Sequence, residues 1–225
     1  MSSISVGIIL GFFVLAFIFM VYKRLHLNML NNALKTKNYP EVLKMCESPL
    51  TRRLLGKYVC ELYKLRAYVL LKDDNQVRTQ ALKMLKENYK ADDHKTFLEL
   101  YYHIFLARKD YETAKAFLDV INKEDDFVFK KYNQYAYDVL VNHQTDLIDI
   151  MDKEIEANLY SGFPLGTVAY LIGVQNLALN EKEKALAYFK ECIICFHPND
   201  VYVGLANAQI KKLEDEIIAD QDKEK

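Results

Sequence analysis

Nineteen consecutive residues near the amino end, Ile4 to Tyr22 (ISVGIILGFFVLAFIFMVY), carry no charge and only two polar groups, Ser5 and the Tyr22 hydroxyl. A chain that enters hydrocarbon must satisfy its own backbone hydrogen bonds, and one isolated segment does so only as a helix. At about 1.5 Å per residue the run reaches close to ~30 Å, the thickness of the hydrocarbon core. The reading is a transmembrane helix over 4–22 with a short segment, 1–3, on its far side.

The flanks give it a direction. No Lys or Arg precedes the run and no small-residue cleavage site follows it, whereas Lys23 and Arg24 come directly after, then His26, Lys35 and Lys37. Positive charge stays on the cytoplasmic side of a membrane. The expected topology is an uncleaved signal anchor: a single pass, the N-terminus outside and everything after residue 22 in the cytoplasm. Lys23 and Arg24 sit where anionic headgroups would meet them, so residues 4–22 with these two cations form the expected lipid contact. Gly7 and Gly11 stand four apart. That spacing is either a helix-pairing face in lipid or the ordinary glycine content of such helices.

About 200 residues remain, enough for one domain or one repeat array. Only 7 Gly and 4 Pro occur in the whole chain. Sheets need many tight turns built from those residues, so the scarcity favours helices. The net charge of -1 conceals an asymmetry: Lys23 to Asp110 holds 18 Lys/Arg against 10 Asp/Glu, and Tyr111 to Lys225 holds 12 against 21. The first half is suited to an anionic membrane surface. The alternative is a set of solvated helix faces that differ without purpose. The chain is not basic overall, and Arg52-Arg53 with Lys57 and Tyr58 is too short a pattern for phosphate readout, so no nucleic acid is expected.

A phrase recurs along the remainder: an apolar helix, a short polar break, a small residue, then a large apolar one. It reads ALKTKNYPEVLKMC with Val42, VLLKDDNQVRTQALKML with Ala81, FLARKDYETAKAFL with Ala114, and LALNEKEKALAYF with Ala185. The small anchors are 39, 33 and 71 residues apart, the last interval leaving room for a degenerate unit at TDLIDIMDKEI. Each hairpin is too small to bury its own apolar face, so hairpins must stack. The pattern predicts about ten or eleven antiparallel helices over residues 25–218 and no sheet. From Asp200 to Ile218 a further amphipathic helix is expected to cap the open end, over 199–218, leaving 219–225 as a polar tail.

These features resemble the tetratricopeptide repeat, two antiparallel helices of about 34 residues per unit. The last unit resembles it most, with Gly173 and Ala185 at the small positions, Phe189 in the following aromatic slot and Pro198 near the closing proline. The Leu98–Ile121 unit is a fair match, and the family's first-helix Trp is absent throughout. Residues 23–198 would then be a right-handed, tetratricopeptide-like α-solenoid of about five hairpins, with Gly173 and Ala185 as the contact point between the helices of the last. Such arrays hold a peptide or helix in the concave groove lined by their first helices. In that register the groove presents Glu99 and His103 from the third unit and Thr167, Tyr170, Val174 and Leu177 from the fifth. The capping helix either leaves these residues open or covers them.

Nothing in the sequence spells an enzyme, and no cofactor is implied. Both phosphate-cradling patterns, GxxxxGK[ST] and GxGxxG, are missing. His26, His94, His103 and His143 show no metal-ligand spacing. Cys192-x-x-Cys195 followed by His197 can be half a zinc site, a redox pair or core packing. It lies toward the end of a helix, the wrong end to lower a thiol pKa, and Cys46 and Cys60 are distant singles, so core packing is the favoured reading. Asp146, Asp149 and Asp152, spaced by three, read as a solvated acidic face. The function class expected is a scaffold or adaptor that binds a protein partner at the cytoplasmic face of a membrane. The alternative is a fixed structural subunit of a membrane complex or a self-associating protein, and the sequence leaves homo-oligomerisation open.

Overall fold

The computed structural model describes residues 3–87 and 89–223, with side chains from Ile9 to Ala219 apart from Asn88 and Ala91. The side of Gly7 in the glycine pair, and most of the expected segments 1–3 and 219–225, lie outside the described residues or side chains. Twelve α-helices and no strand occur among the described residues: α1 Ser3–Lys35, α2 Tyr39–Glu47, α3 Pro49–Leu55, α4 Lys57–Leu71, α5 Asp74–Leu85, α6 Ala91–Ala107, α7 Tyr111–Ile121, α8 Phe127–Leu140, α9 Ile148–Glu156, α10 Phe163–Ala178, α11 Lys182–Cys195 and α12 Val201–Lys223. They fall into two compact units, Met1–His94 and Lys95–Lys225.

One turn is used again and again. Lys37, Lys72, Lys109 and Asn180 all take the left-handed conformation, with φ of 59°, 57°, 60° and 62°. In each case the residue's own N–H donates three residues back and the next N–H donates five back, as Lys109 to Leu106 and Asp110 to Phe105. This is a Schellman close, and it satisfies carbonyls the helix end leaves orphaned. The following residue then opens the next helix. Asn38, Asp73 and Asp110 each accept a hydrogen bond from the backbone N–H three residues on, while Glu181 fills the same place without a side-chain cap. The chain is reversed by two or three residues, so α1/α2, α4/α5, α6/α7 and α10/α11 are antiparallel hairpins. The left-handed positions are 35, 37 and 71 residues apart, and His143, at φ 56°, stands inside the long interval. There the α8/α9 connection runs longer and bonds differently, Gln144 N–H reaching Asp138 O. The small anchors Val42, Ala81, Ala114 and Ala185 are all fully buried, as their position after each turn requires.

In the first unit α2 and α3 pack against the end of α1, α4 packs on α2 and α3, and α5 packs on α4. Leu30, Val42, Cys46, Cys60 and Ala67 are at its centre. Cys46 and Cys60, far apart in sequence, meet here, and one thiol donates to the other. Glu61 is buried to 1% exposure and takes Arg52 from α3 at 3.0 Å, Gln80 from α5 at 2.6 Å and Lys83 from α5 at 3.0 Å. Burial pushes its carboxyl up. The Gln80 and Lys83 hydrogen bonds and the Lys83 and Lys64 charges outweigh that and hold it below the usual range. One carboxylate thus ties three helices by charge-assisted bonds.

In the second unit α10 is the axis. It is buried on nearly every side and touches α8, α9, α11 and α12. At 16 residues it is an interior helix, too short to cross a membrane. Two glycines let α11 approach. A Cβ on Gly173 would come within 2.9 Å of the Phe189 ring, and one on Gly166 within 2.7 Å of the Phe196 ring. Over Gly173 the nearest side chain is the Phe189 ring of α11, and Ala185 is buried one turn earlier on the same helix.

Three boundaries differ from those expected. The apolar run does not end in a break at residue 22, because no Gly or Pro lies between Gly11 and Pro40, and α1 continues without interruption to Lys35. The repeat pattern does not mark the short α3, which Pro49 at a first turn and Gly56 at φ 90° cut out. The last helix runs to Lys223, past the expected end at 218.

Two substitutions test this packing by thermal unfolding of the detergent-solubilised chain. Gly173→Leu should destabilise by about 1–3 kcal/mol, because the buried Phe189 ring has no room to yield. Lys109→Gly should stabilise by about 0.5–1 kcal/mol, because only glycine adopts this backbone without a Cβ penalty. A stabilising Gly173→Leu, or a destabilising Lys109→Gly, would contradict the respective account.

Candidate functional site

The residues assigned to a concave groove are mostly inside the second unit. His103 and Thr167 are fully buried and Tyr170 is 6% exposed. What covers them is Tyr202, from the first turn of α12. Its ring lies 4.7 Å from Tyr170, 5.3 Å from His103, 5.7 Å from Phe196 and 6.2 Å from Phe163, centre to centre. The sequence leaves open whether the last helix covers this face, and Tyr202 does so because a fully apolar pocket with one imidazole suits an aromatic body with a polar tip. Glu99 is half-buried and accepts a hydrogen bond from Tyr132, whose ring stacks on His103. Burial raises the Glu99 carboxyl. Val174 is half-buried on another side, beside His143, Gln144 and Gln175. Leu177 is half-buried, and its carbonyl closes the α10/α11 turn. Tyr202 therefore gathers His103 and Tyr170, and the other residues do not join them in an open surface.

The interior contact is polar at one point. The Tyr202 hydroxyl and His103 Nδ1 are 2.7 Å apart. With Nδ1 accepting, the imidazole proton sits on Nε2. Nε2 and the Asn133 Oδ1 are both buried without a close hydrogen-bond partner, and as donor and acceptor they are complementary. Burial pulls the His103 pKa down to about 3, with Asn133 acting weakly in the other direction. A neutral histidine of this kind is structural.

The open concavity lies elsewhere, between α9 and α11 across α10. A cleft of about 580 Å³ is lined by Asp146, Asp149 and Asp152 on one side and Glu181, Lys184 and Tyr188 on the other, with Asn176 from α10 below. A second, of about 330 Å³, continues past Asp152 and Tyr188 to Glu156, Leu165, Glu191 and Cys195. The Tyr188 hydroxyl donates to Asp152 at 2.6 Å and bridges the two. Burial and this bond to a carboxylate both raise the Tyr188 phenol. Six carboxylates thus face one ammonium, and Lys184 is itself 3.4 Å from Glu181. The aspartate row was legible in the sequence. Its opposite wall was not picked out, although Glu181, Lys184, Tyr188, Glu191 and Cys195 follow the three-four spacing of one helical face.

Such a trough has the chemistry to hold ammonium or guanidinium groups. Among the described residues no group of three or more His, Cys, Asp or Glu side chains converges as a metal site would. Cys192 is buried, its thiol donating to Phe189 O, and burial raises its pKa to about 12.

The buried histidine gives a pH dependence with a definite sign. Its folded pKa lies below the unfolded value, so between about pH 3 and 6.5 the unfolded chain binds a proton that the folded one does not. Stability from this group is complete above about pH 6.5 and is lost as the pH falls, by roughly 2–3 kcal/mol at pH 4.5. His103→Gln should flatten the fall of Tm with acid relative to the parent chain, whose carboxylates are otherwise the same. Equal slopes for the two proteins would contradict the assignment.

Compared with protein-family models, curated proteins and solved structures, the chain matches none.

Proposed function

We propose that this chain is a single-pass membrane protein whose helical hairpins form a tetratricopeptide-like solenoid on the cytoplasmic side, and that it serves as a scaffold. Its distal unit docks a protein partner through a segment rich in Lys or Arg. The observation that carries this reading is the carboxylate-lined trough between α9 and α11, which stays open while the face behind α12 is filled. The periodic left-handed turns support the repeat, and α1, long and apolar enough to cross a membrane, supports the anchor.

Charge gives the arrangement its sense. Residues 1–94 hold 15 Lys/Arg against 8 Asp/Glu, and residues 95–225 hold 15 against 23. Anionic lipid attracts the first set and repels the second within about a Debye length, roughly 8 Å at physiological salt. A basic peptide, in turn, is steered toward the acidic unit.

A photoreactive amino acid at Leu179, an exposed residue lining the trough, tests the proposal in intact cells. The expected result is a discrete crosslinked partner that disappears in Asp146→Asn/Asp149→Asn, both exposed changes with little expected effect on Tm. A crosslink only to a second copy of the chain would replace the scaffold with a self-associating protein. Crosslinks no different from those of a probe at Lys211 would remove the site. Topology is read separately: the hairpin units should resist protease added outside intact cells, and Ser2→Lys/Ser3→Lys should weaken that protection.

A further inference from the structure

The way α1 leaves its apolar stretch places a second element beside it. From Ile9 to Leu25 the side chains of α1 are exposed, with only the small Ala16 partly shielded. Cover begins at His26 and Leu27 and continues at Leu30, Ala33 and Leu34, one stripe of the same unbroken helix. Because the helix does not break, sequence distance is height. Leu27 is five residues past Tyr22, about 8 Å along the axis, and a headgroup layer is roughly 5–8 Å deep. What packs on α1 at that level is therefore held against the headgroups.

Chain connectivity says what it is. A three-residue turn sends α2 back alongside α1, and nine residues carry it about 13 Å, to the level of Leu27. There Ser48 starts α3, which packs against α1, α2 and α4. This seven-residue helix buries Thr51 and Leu55 and leaves Leu50 57% exposed, with Arg53 exposed one turn later. Arg52 is engaged by Glu61 and Lys57 by Glu87, whereas Arg53, Lys23 and Arg24 have no carboxylate within ion-pair distance among the described residues.

We propose that α3 is a second membrane contact, with Leu50 dipping among lipid headgroups and Arg53, Lys23 and Arg24 binding their phosphates. The inference rests on the reading of α1 as the membrane span. Its chemistry is that of an interfacial helix: an apolar side chain at the acyl boundary and cations at the phosphate level. Two attachments on different sides of one helix end would keep the first unit upright on the bilayer.

The chain has no Trp, so a single introduced Trp is a clean probe. The full chain is reconstituted into phosphatidylcholine vesicles with phosphatidylglycerol, and into versions carrying bromine either near the top or near the end of the acyl chains, the first to reach α3 and the second the middle of the span. Three variants are compared: Leu50→Trp, Phe13→Trp in the span, and Ile194→Trp, an 85% exposed site in the second unit. The proposal expects blue-shifted, bromine-quenched emission from Leu50→Trp and Phe13→Trp and neither effect from Ile194→Trp. Adding Arg53→Glu should return Leu50→Trp toward the solvent value while Phe13→Trp is unmoved. If Phe13→Trp is quenched but Leu50→Trp behaves like Ile194→Trp, the α3 contact is wrong and the anchor stands. If Phe13→Trp is not quenched, anchor and α3 contact fall together. Quenching of all three would also overturn the proposal, since the contact would not be particular to α3.

Discussion

A left-handed residue followed by a capping residue is the constraint on which the rest of this structure depends. It ends one helix and starts the next within three residues, so consecutive helices have no choice but to lie side by side. At three of the four places the left-handed residue is lysine, which stores a small strain that glycine would not. The long side chain is tolerated because it points into solvent at the tip of a hairpin. Once the turn is set, the residue four positions after the capping residue must face the partner helix, and Val42, Val77, Ala114 and Ala185 there are all fully buried. Interior packing follows from turn chemistry here more than from helix propensity.

That is also why the fold was legible. The polar breaks, the small anchors and the lack of Gly and Pro are local signals, and local signals suffice for hairpins. The parts that were not legible depend on contacts distant in sequence. Nothing near Tyr202 announces that its ring will fill the space beside His103, 99 residues away; the helix reads as an ordinary amphipathic cap. The meeting of Cys46 with Cys60 and the three-helix attachment of Glu61 are of the same kind. The break that makes α3 could have been read from Ser48-Pro49 and Gly56, but it falls inside a unit whose repeat pattern is weak.

The site divides along the same line. The groove residues came from projecting a repeat register forward, and three of those it named, His103, Thr167 and Tyr170, are buried inside the second unit. It could not know that the chain's own last helix takes that face. The acidic wall of α9 was visible as a row of aspartates, yet its meaning came only with the opposite wall on α11. A single charged stripe is a solvated surface in most proteins; two facing stripes with a trough between them concentrate potential.

The unbroken course of α1 has one more consequence. At about 100° per residue, the side of the span that carries Gly11 and the side that carries Leu30 stand about 100° apart around a common axis, and no flexible joint lets them drift. Whatever sets the rotation of the apolar stretch about its axis turns α2 and α3 with it through the same angle. The first unit is thus geared to the apolar stretch, and a twist imposed on that stretch is delivered to α2 and α3.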